Sequence, residues 1–116
     1  MTAARLELGA AGEERAAAWY RARGYVVVAR NWRCREGELD LVCTRGRTVV
    51  FCEVKTRSSL AYGHPAEAVT PAKQQRIHKL AVLWLADQDP PVRADALRFD
   101  VAAVLPRSID VIEAAF

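Results

Sequence analysis

The sequence predicts a mixed α/β domain, a β-sheet of four to five strands flanked by two helices in the order αβββαββ. Three observations predict it. Two stretches carry apolar residues at helical spacing, around 10–23 and 71–86. Between them lie short runs rich in Val, Ile and aromatic residues, bounded by Gly and polar turn residues. After the second helix, Leu97–Leu105 alternates weakly and ends apolar, as a strand covered on both faces does. At 116 residues the chain is expected to be one domain, 1–116, with no repeat and no low-complexity segment.

The first helix is expected from about Ala10 to Arg23, ended by Gly24. Glu13, Ala16, Ala17 and Tyr20 fall at i, i+3, i+4 and i+7, a stripe that is apolar apart from Glu13. Two readings of Glu13 compete: it complements the helix dipole in the first turn, or it faces a pocket shared with other acids. Glu14 goes with the solvent-side residues Arg15 and Arg21. A short strand follows, Tyr25–Ala29, and then Asn31–Gly37 leads into a hairpin. Trp32, among Arg30, Arg33 and Arg35, is either a basic and aromatic edge for nucleic acid or a side chain packed under a loop.

The hairpin joins Gly37–Arg45 to Thr48–Lys55 through Gly46-Arg47, which suits a two-residue type II′ turn with Gly first. That register sets Arg45 against Thr48, Val42 against Phe51 and Asp40 against Glu53. Opposed residues share a face, and Lys55, two beyond Glu53, shares it too. Asp40, Glu53 and Lys55 are therefore expected together at one end of the hairpin. Two carboxylates so close need a proton or a cation between them. Oxygen ligands with room for water suit Mg²⁺ or Mn²⁺. The plainer alternative is a Glu53–Lys55 ion pair with Asp40 capping a strand.

Thr56–Pro65 reads as a loop beside this acid cluster, with His64 a loop residue or a substrate contact. Thr70-Pro71 starts the second helix, Thr as N-cap and Pro at the first helical position, and the helix runs to about Ala86. Its stripe is Ile77, Leu80, Ala81 and Trp84. Lys73 extends that stripe toward the N-terminus, reaching for phosphates or carboxylates or merely snorkelling. Asp87–Ala94 is a linker with Pro90-Pro91, and Ile109–Ile112 is a final edge strand.

Composition limits the functions. No apolar run approaches the roughly 18–20 residues of a membrane span, and Met1–Gly12 lacks the pattern of a secretory signal. Three cysteines match no zinc spacing and are expected as reduced, buried thiols in a cytoplasmic protein. Residues 30–79 hold ten Lys or Arg against five acids, a net +5, while the remainder carries −2. A polyanion would be drawn to the region around the acid cluster. There is no Gly-rich phosphate loop and no nucleophile elbow.

An Asp on one hairpin arm and Glu-x-Lys on the other, Glu53-Val54-Lys55, resembles the core of restriction-endonuclease-like nucleases, the PD-(D/E)xK superfamily. The ordered set of motifs resembles one family more closely, the uncharacterised YraN-like bacterial proteins. The set is Gly9-Ala10-Ala11-Gly12-Glu13, Gly24-Tyr25, Arg30-Asn31, Gly37–Leu41, Phe51–Arg57, Glu67-Ala68-Val69, Lys73 and Arg98–Val101. The likeness covers about residues 9–104. It implies a restriction-endonuclease-like fold and a Mg²⁺- or Mn²⁺-dependent endonuclease acting on DNA, branched or otherwise structured, in repair or recombination. It implies Asp40, Glu53 and the Val54 carbonyl as metal ligands, with Glu13 a third acid by similarity to Holliday-junction resolvases. Lys55 would be catalytic, and Arg57, Lys73 and Arg76 would hold the nucleic-acid backbone. A homodimer fits the same likeness. The rival expectations are a non-catalytic nucleic-acid-binding module or repair adaptor, and a protein-binding domain with an ordinary ion-pair network.

Overall fold

The structure, a computed structural model, describes residues 3–58 and 69–116. The elements are α1 (Ala3–Ala22), β1 (Val26–Cys34), β2 (Gly37–Arg45), β3 (Thr48–Thr56), α2 (Pro71–Ala86), β4 (Ala96–Leu105) and β5 (Ser108–Ile112). The predicted order αβββαββ is therefore the observed one. The five strands lie in the sheet in chain order, antiparallel throughout except for β3 and β4, which are parallel and joined through α2. A parallel pair needs such a crossover, because a tight turn only reverses direction.

The sheet separates two cores. On one side α2 lays Ile77, Leu80, Ala81 and Trp84 over Leu39, Val42, Val49, Phe51 and Val101. On the other, α1 lays Ala16, Ala17 and Tyr20 over Leu41, Cys43, Val50, Cys52 and Ala102. Each large apolar side chain buried this way contributes roughly 1.5–3 kcal/mol. The middle of β4, Val101–Val104, is buried, as a strand covered on both faces must be.

Local signals in the sequence are honoured closely. Thr70 Oγ1 accepts the Lys73 amide at 3.3 Å, and Pro71 opens α2. Gly46 sits at φ +59° with Arg47 outside the left-handed region, as a type II′ turn requires. Gly24, at φ +83°, ends α1: its amide donates to the Arg21 carbonyl and that of Tyr25 to the Tyr20 carbonyl, a Schellman closure.

Several boundaries differ. The first helix begins at Ala3, seven residues before the expected start. The first strand runs on to Cys34 and makes a second hairpin with β2. Trp32 packs against the α2-side core. Arg15 is not a solvent-side residue: its guanidinium donates to the carbonyls of Leu105 and Ser108, tying α1 to the β4–β5 turn. Cys43 and Cys52 are buried free thiols, and burial pushes the Cys43 thiol up to about 12. His64 and most of the expected loop lie outside the described residues. Among the described residues no helix is long and apolar enough to cross a membrane.

Gly12 is the contact point between α1 and β3. A Cβ built there would lie 2.0 Å from Thr56 Oγ1 and 3.1 Å from Thr56 Cβ. Both atoms belong to a short branched side chain that cannot swing clear. Gly12→Ala is therefore expected to destabilise the protein by about 1–3 kcal/mol, read as a lower urea midpoint. Adding Thr56→Ala should restore part of that loss, because the nearer of the two clashing atoms is then gone.

Candidate active site

Strands β2 and β3 pair from Arg45–Thr48 to Leu41–Cys52, and the ladder stops there. The next step would set Asp40 opposite Glu53. Instead the Asp40 carboxylate takes a backbone group: Val54 N–H donates to Asp40 Oδ2 at 2.9 Å. Asp40 opens on the α1 side, into a cavity of about 490 Å³ that it lines with Glu13, Val54, Thr56, Arg57, Ser58, Leu8 and Gly9. Glu53 opens on the α2 side, into a smaller recess of about 140 Å³, with Glu38, Lys73 and Arg76 along its wall.

The expectation of one shared face is thus corrected for Asp40. The cause is visible along β2. Leu41 and Cys43 belong to the α1-side core, and Val42 to the α2-side core, in ordinary alternation. Leu39 then lies with Val42 on the α2 side. The alternation slips by one at Asp40, which turns its side chain toward α1 and Glu13. Glu53 and Lys55 keep the regular phase of β3 and stay together, Lys55 Nζ 3.1 Å from Glu53 Oε1 in a pair only 16% and 19% exposed.

The two recesses remain one electrostatic neighbourhood. Burial first, then the Glu53 carboxylate and, less strongly, Glu13 and Glu38 together push the Asp40 carboxyl up to about 7. The Val54 amide opposes these effects. Among the described residues no basic side chain pairs with Asp40. Glu38 pairs with Arg33 at 3.1 Å and Glu53 with Lys55, whereas neither Asp40 nor Glu13 is ion-paired among the described residues.

Glu13, left between two readings by its place in the helix, lines the Asp40 cavity. Of the three residues expected to hold backbone phosphates, Arg57 is at the Asp40 cavity, while Lys73 and Arg76 border the Glu53 recess. Glu38 went unremarked in the sequence, although it stands between Gly37 and Leu39 in a motif already singled out. Gly12 was singled out only as part of the Gly9–Glu13 motif; its close approach to Thr56 had no signal beyond its being the glycine directly before Glu13.

The carboxylates lining the larger cavity are those of Asp40 and Glu13, beside the Thr56 and Ser58 hydroxyls, with Glu53 near enough to act on Asp40. Among the described residues, no three acidic, His or Cys side chains stand together as a ready-made metal cage. A hard divalent cation of the Mg²⁺ type takes one or two carboxylates and keeps several waters. The donors around Asp40 suit that style of binding and not a closed four-ligand site.

Comparison with known proteins agrees with the motif set. The model of the uncharacterised protein family UPF0102 matches residues 12–104. The chain is 58% identical over 98 residues to a UPF0102 protein of Nocardia farcinica, covering 84% of this chain and 76% of that one. It is 57% identical over 98 residues to one from Beutenbergia cavernae, covering 84% and 81%. It is 53% identical over 114 residues to one from Clavibacter michiganensis, covering 94% and 95%.

Proposed function

The chain belongs to the uncharacterised protein family UPF0102, and we propose that it is a Mg²⁺- or Mn²⁺-dependent endonuclease hydrolysing phosphodiester bonds in branched or otherwise structured DNA. One observation carries this reading. Asp40 is a partly buried carboxylate, held by the Val54 amide, crowded by three other acids and open to a cavity of about 490 Å³. Such a group binds either a proton or a cation at neutral pH. The likeness to the PD-(D/E)xK nucleases supports the second choice.

In this reading Asp40, Glu13 and the Val54 carbonyl would hold the cation, with waters completing its shell, and Glu53 would act on it from the α2-side recess. The bound cation would acidify a water and offset charge on the phosphate. Lys55 keeps Glu53 oriented and supplies positive charge where the phosphate gains negative charge. Arg57 on one side of the β2–β3 end and Lys73 and Arg76 on the other fix the backbone without reading bases. The wall of acids keeps a polyanion away until the cation is present, which makes binding and cleavage both metal-linked.

The test is cleavage of branched and linear DNA with Mg²⁺ or Mn²⁺. Glu53→Gln and Lys55→Met should each fall by at least about 100-fold, a loss of about 2.7 kcal/mol at the transition state. Equal activity in wild type and both variants would identify a contaminating nuclease and end the proposal.

A second reading, a non-catalytic nucleic-acid-binding module, is favoured by one observation: Glu53 and Asp40 each already have a partner, Lys55 and the Val54 amide. The two readings separate by metal uptake, which only the nuclease requires. Both predict salt-sensitive DNA binding. With Arg57, Lys73 and Arg76 each meeting a phosphate, the slope of log K against log salt should be about −2.7 for duplex DNA. Each alanine substitution should make it shallower by about 0.9.

A further inference from the structure

The slip that turns Asp40 has a counterpart directly across the sheet. On β1, Val27 packs with the α1-side core, and Ala29, Trp32 and Cys34 pack with the α2-side core. Residues 29 and 32 cannot share a face in a regular strand. The phase therefore also slips on β1, between Ala29 and Trp32. Strands β1 and β2 pair at Arg30–Leu41 and at Trp32–Leu39, and the step between, Asn31 with Asp40, is skipped. At that skipped step Asn31 has φ +51°. A left-handed residue inside a strand is rare for anything but Gly, Asn or Asp.

β1 thus changes phase twice, at the bulge between Val27 and Ala29, where its register to β2 shifts, and again at Asn31; the second change shares its rung with the slip at Asp40, and pairing resumes on either side of it. Without it, Asp40 would follow Val42 into the apolar layer under α2, away from Glu13. With it, Asp40 reaches the α1-side cavity and meets the Val54 amide. Asn31 itself is exposed, so packing of its side chain does not hold this geometry. Its tolerance of the left-handed region does.

We infer that Asn31 is the positioning residue of the candidate site: its left-handed backbone re-phases β1 and β2 and so aims Asp40 at the cavity it shares with Glu13. The inference rests on the proposed function for its catalytic meaning, but its geometry is testable without metal or DNA. Gly adopts φ +51° freely, Ala resists it, and a β-branched residue resists it most.

The readout is the Val54 amide proton, followed by NMR in the metal-free protein, because Asp40 accepts that proton only when correctly aimed. Asn31→Gly should leave its chemical shift and exchange protection unchanged. Asn31→Val should move the shift and cut the protection at Val54 at least tenfold, with Leu80 and Val101 amides unaffected. If Asn31→Val does not fold, Asn31→Ala should show the same loss in smaller measure. In cleavage assays Asn31→Gly should keep wild-type activity and Asn31→Val should lose at least tenfold. Unchanged Val54 protection in Asn31→Val or Asn31→Ala overturns the inference, as does equal loss in Asn31→Gly. If Val54 responds as expected while wild-type protein cleaves nothing, the positioning role stands and the nuclease reading falls.

Discussion

Asp100→Ala is expected to lower the unfolding free energy by about 3–5 kcal/mol, a large part of the 5–15 kcal/mol typical of a domain. Asp100 is fully buried, the one charged side chain in the core among the described residues. It is also fully satisfied. Tyr20 Oη donates to Oδ2 at 2.6 Å, Arg98 donates through Nε at 2.9 Å and Nη2 at 2.8 Å, and the Ala114 amide donates at 3.0 Å. Arg98 goes on to the Tyr25 hydroxyl at 3.0 Å and to Glu113 at 3.4 Å. This one carboxylate therefore fastens α1, β4 and the C-terminal segment.

Removing it leaves the Tyr20 phenol without its acceptor and strips the Arg98 guanidinium of its two hydrogen bonds in the core, leaving it Tyr25 and Glu113. Burial, with Cys52 and Asp100 beside it, holds the Tyr20 phenol protonated far above its ordinary range, so it cannot adapt by ionising. The check is urea unfolding, read as a lower midpoint at an unchanged slope. A double replacement, Asp100→Leu with Arg98→Met, should cost less than Asp100→Ala alone. It removes both charges together and leaves neither stranded. A double variant weaker than the single would show that the pair itself, not the stranding, supplies the stability.

The second large effect is at Asp40 and has two signs. Asp40→Asn keeps an oxygen for the Val54 amide but removes the charge. DNA cleavage should fall by at least about 100-fold, equivalent to about 2.7 kcal/mol, because the variant holds a cation poorly. Metal-free stability should move the other way. The Asp40 carboxyl is raised from its ordinary 3.8 to about 7 in the folded state. A group raised on folding stabilises fully below its unfolded value, and that contribution is lost as pH rises through the folded value.

Metal-free wild type is thus expected to be more stable near pH 4 than at pH 8 on this account, by at most about 4 kcal/mol at 1.36 kcal/mol per pH unit. The loss spans pH 4 to 7. Asp40→Asn should lack this pH dependence and be the more stable protein at pH 8 without metal. Adding Mg²⁺ or Mn²⁺ at pH 8 should restore wild type and leave the variant unmoved. Thermal unfolding at pH 5 and pH 8, with and without cation, measures all four quantities. A flat wild-type profile would remove the electrostatic argument for Asp40.

Much of this molecule was legible in its sequence because its signals are local. Thr70-Pro71 fixed one end of α2, and the Ile77–Trp84 stripe fixed its buried face. Gly46 fixed the turn, and with it the register from Arg45–Thr48 up to Leu41–Cys52. Glu53 and Lys55 share a face because β3 alternates without interruption.

What the sequence hid are departures from periodicity. A period of two carries Asp40 to the Glu53 face, and nothing in the residue types around it announces a slip. Asn31 is compatible with a left-handed backbone but does not demand one. The early start of α1 was not legible in its buried stripe, which begins only at Glu13; Thr2, directly before Ala3, is a residue type that starts helices. Asp100 reads as one polar position in an alternating strand; its partners Tyr20 and Ala114 are distant in sequence and come to it only through the fold.

The claim on which the account turns is that Asp40 takes a divalent cation. A crystal of wild-type protein soaked in Mn²⁺ measures it most directly, through anomalous scattering. The account predicts a Mn²⁺ peak about 2.1–2.3 Å from an Asp40 carboxylate oxygen, on the Glu13 side of the sheet, and no such peak in Asp40→Asn. An Asp40 carboxylate bonded to the Val54 amide alone, with no peak at saturating Mn²⁺, would contradict it.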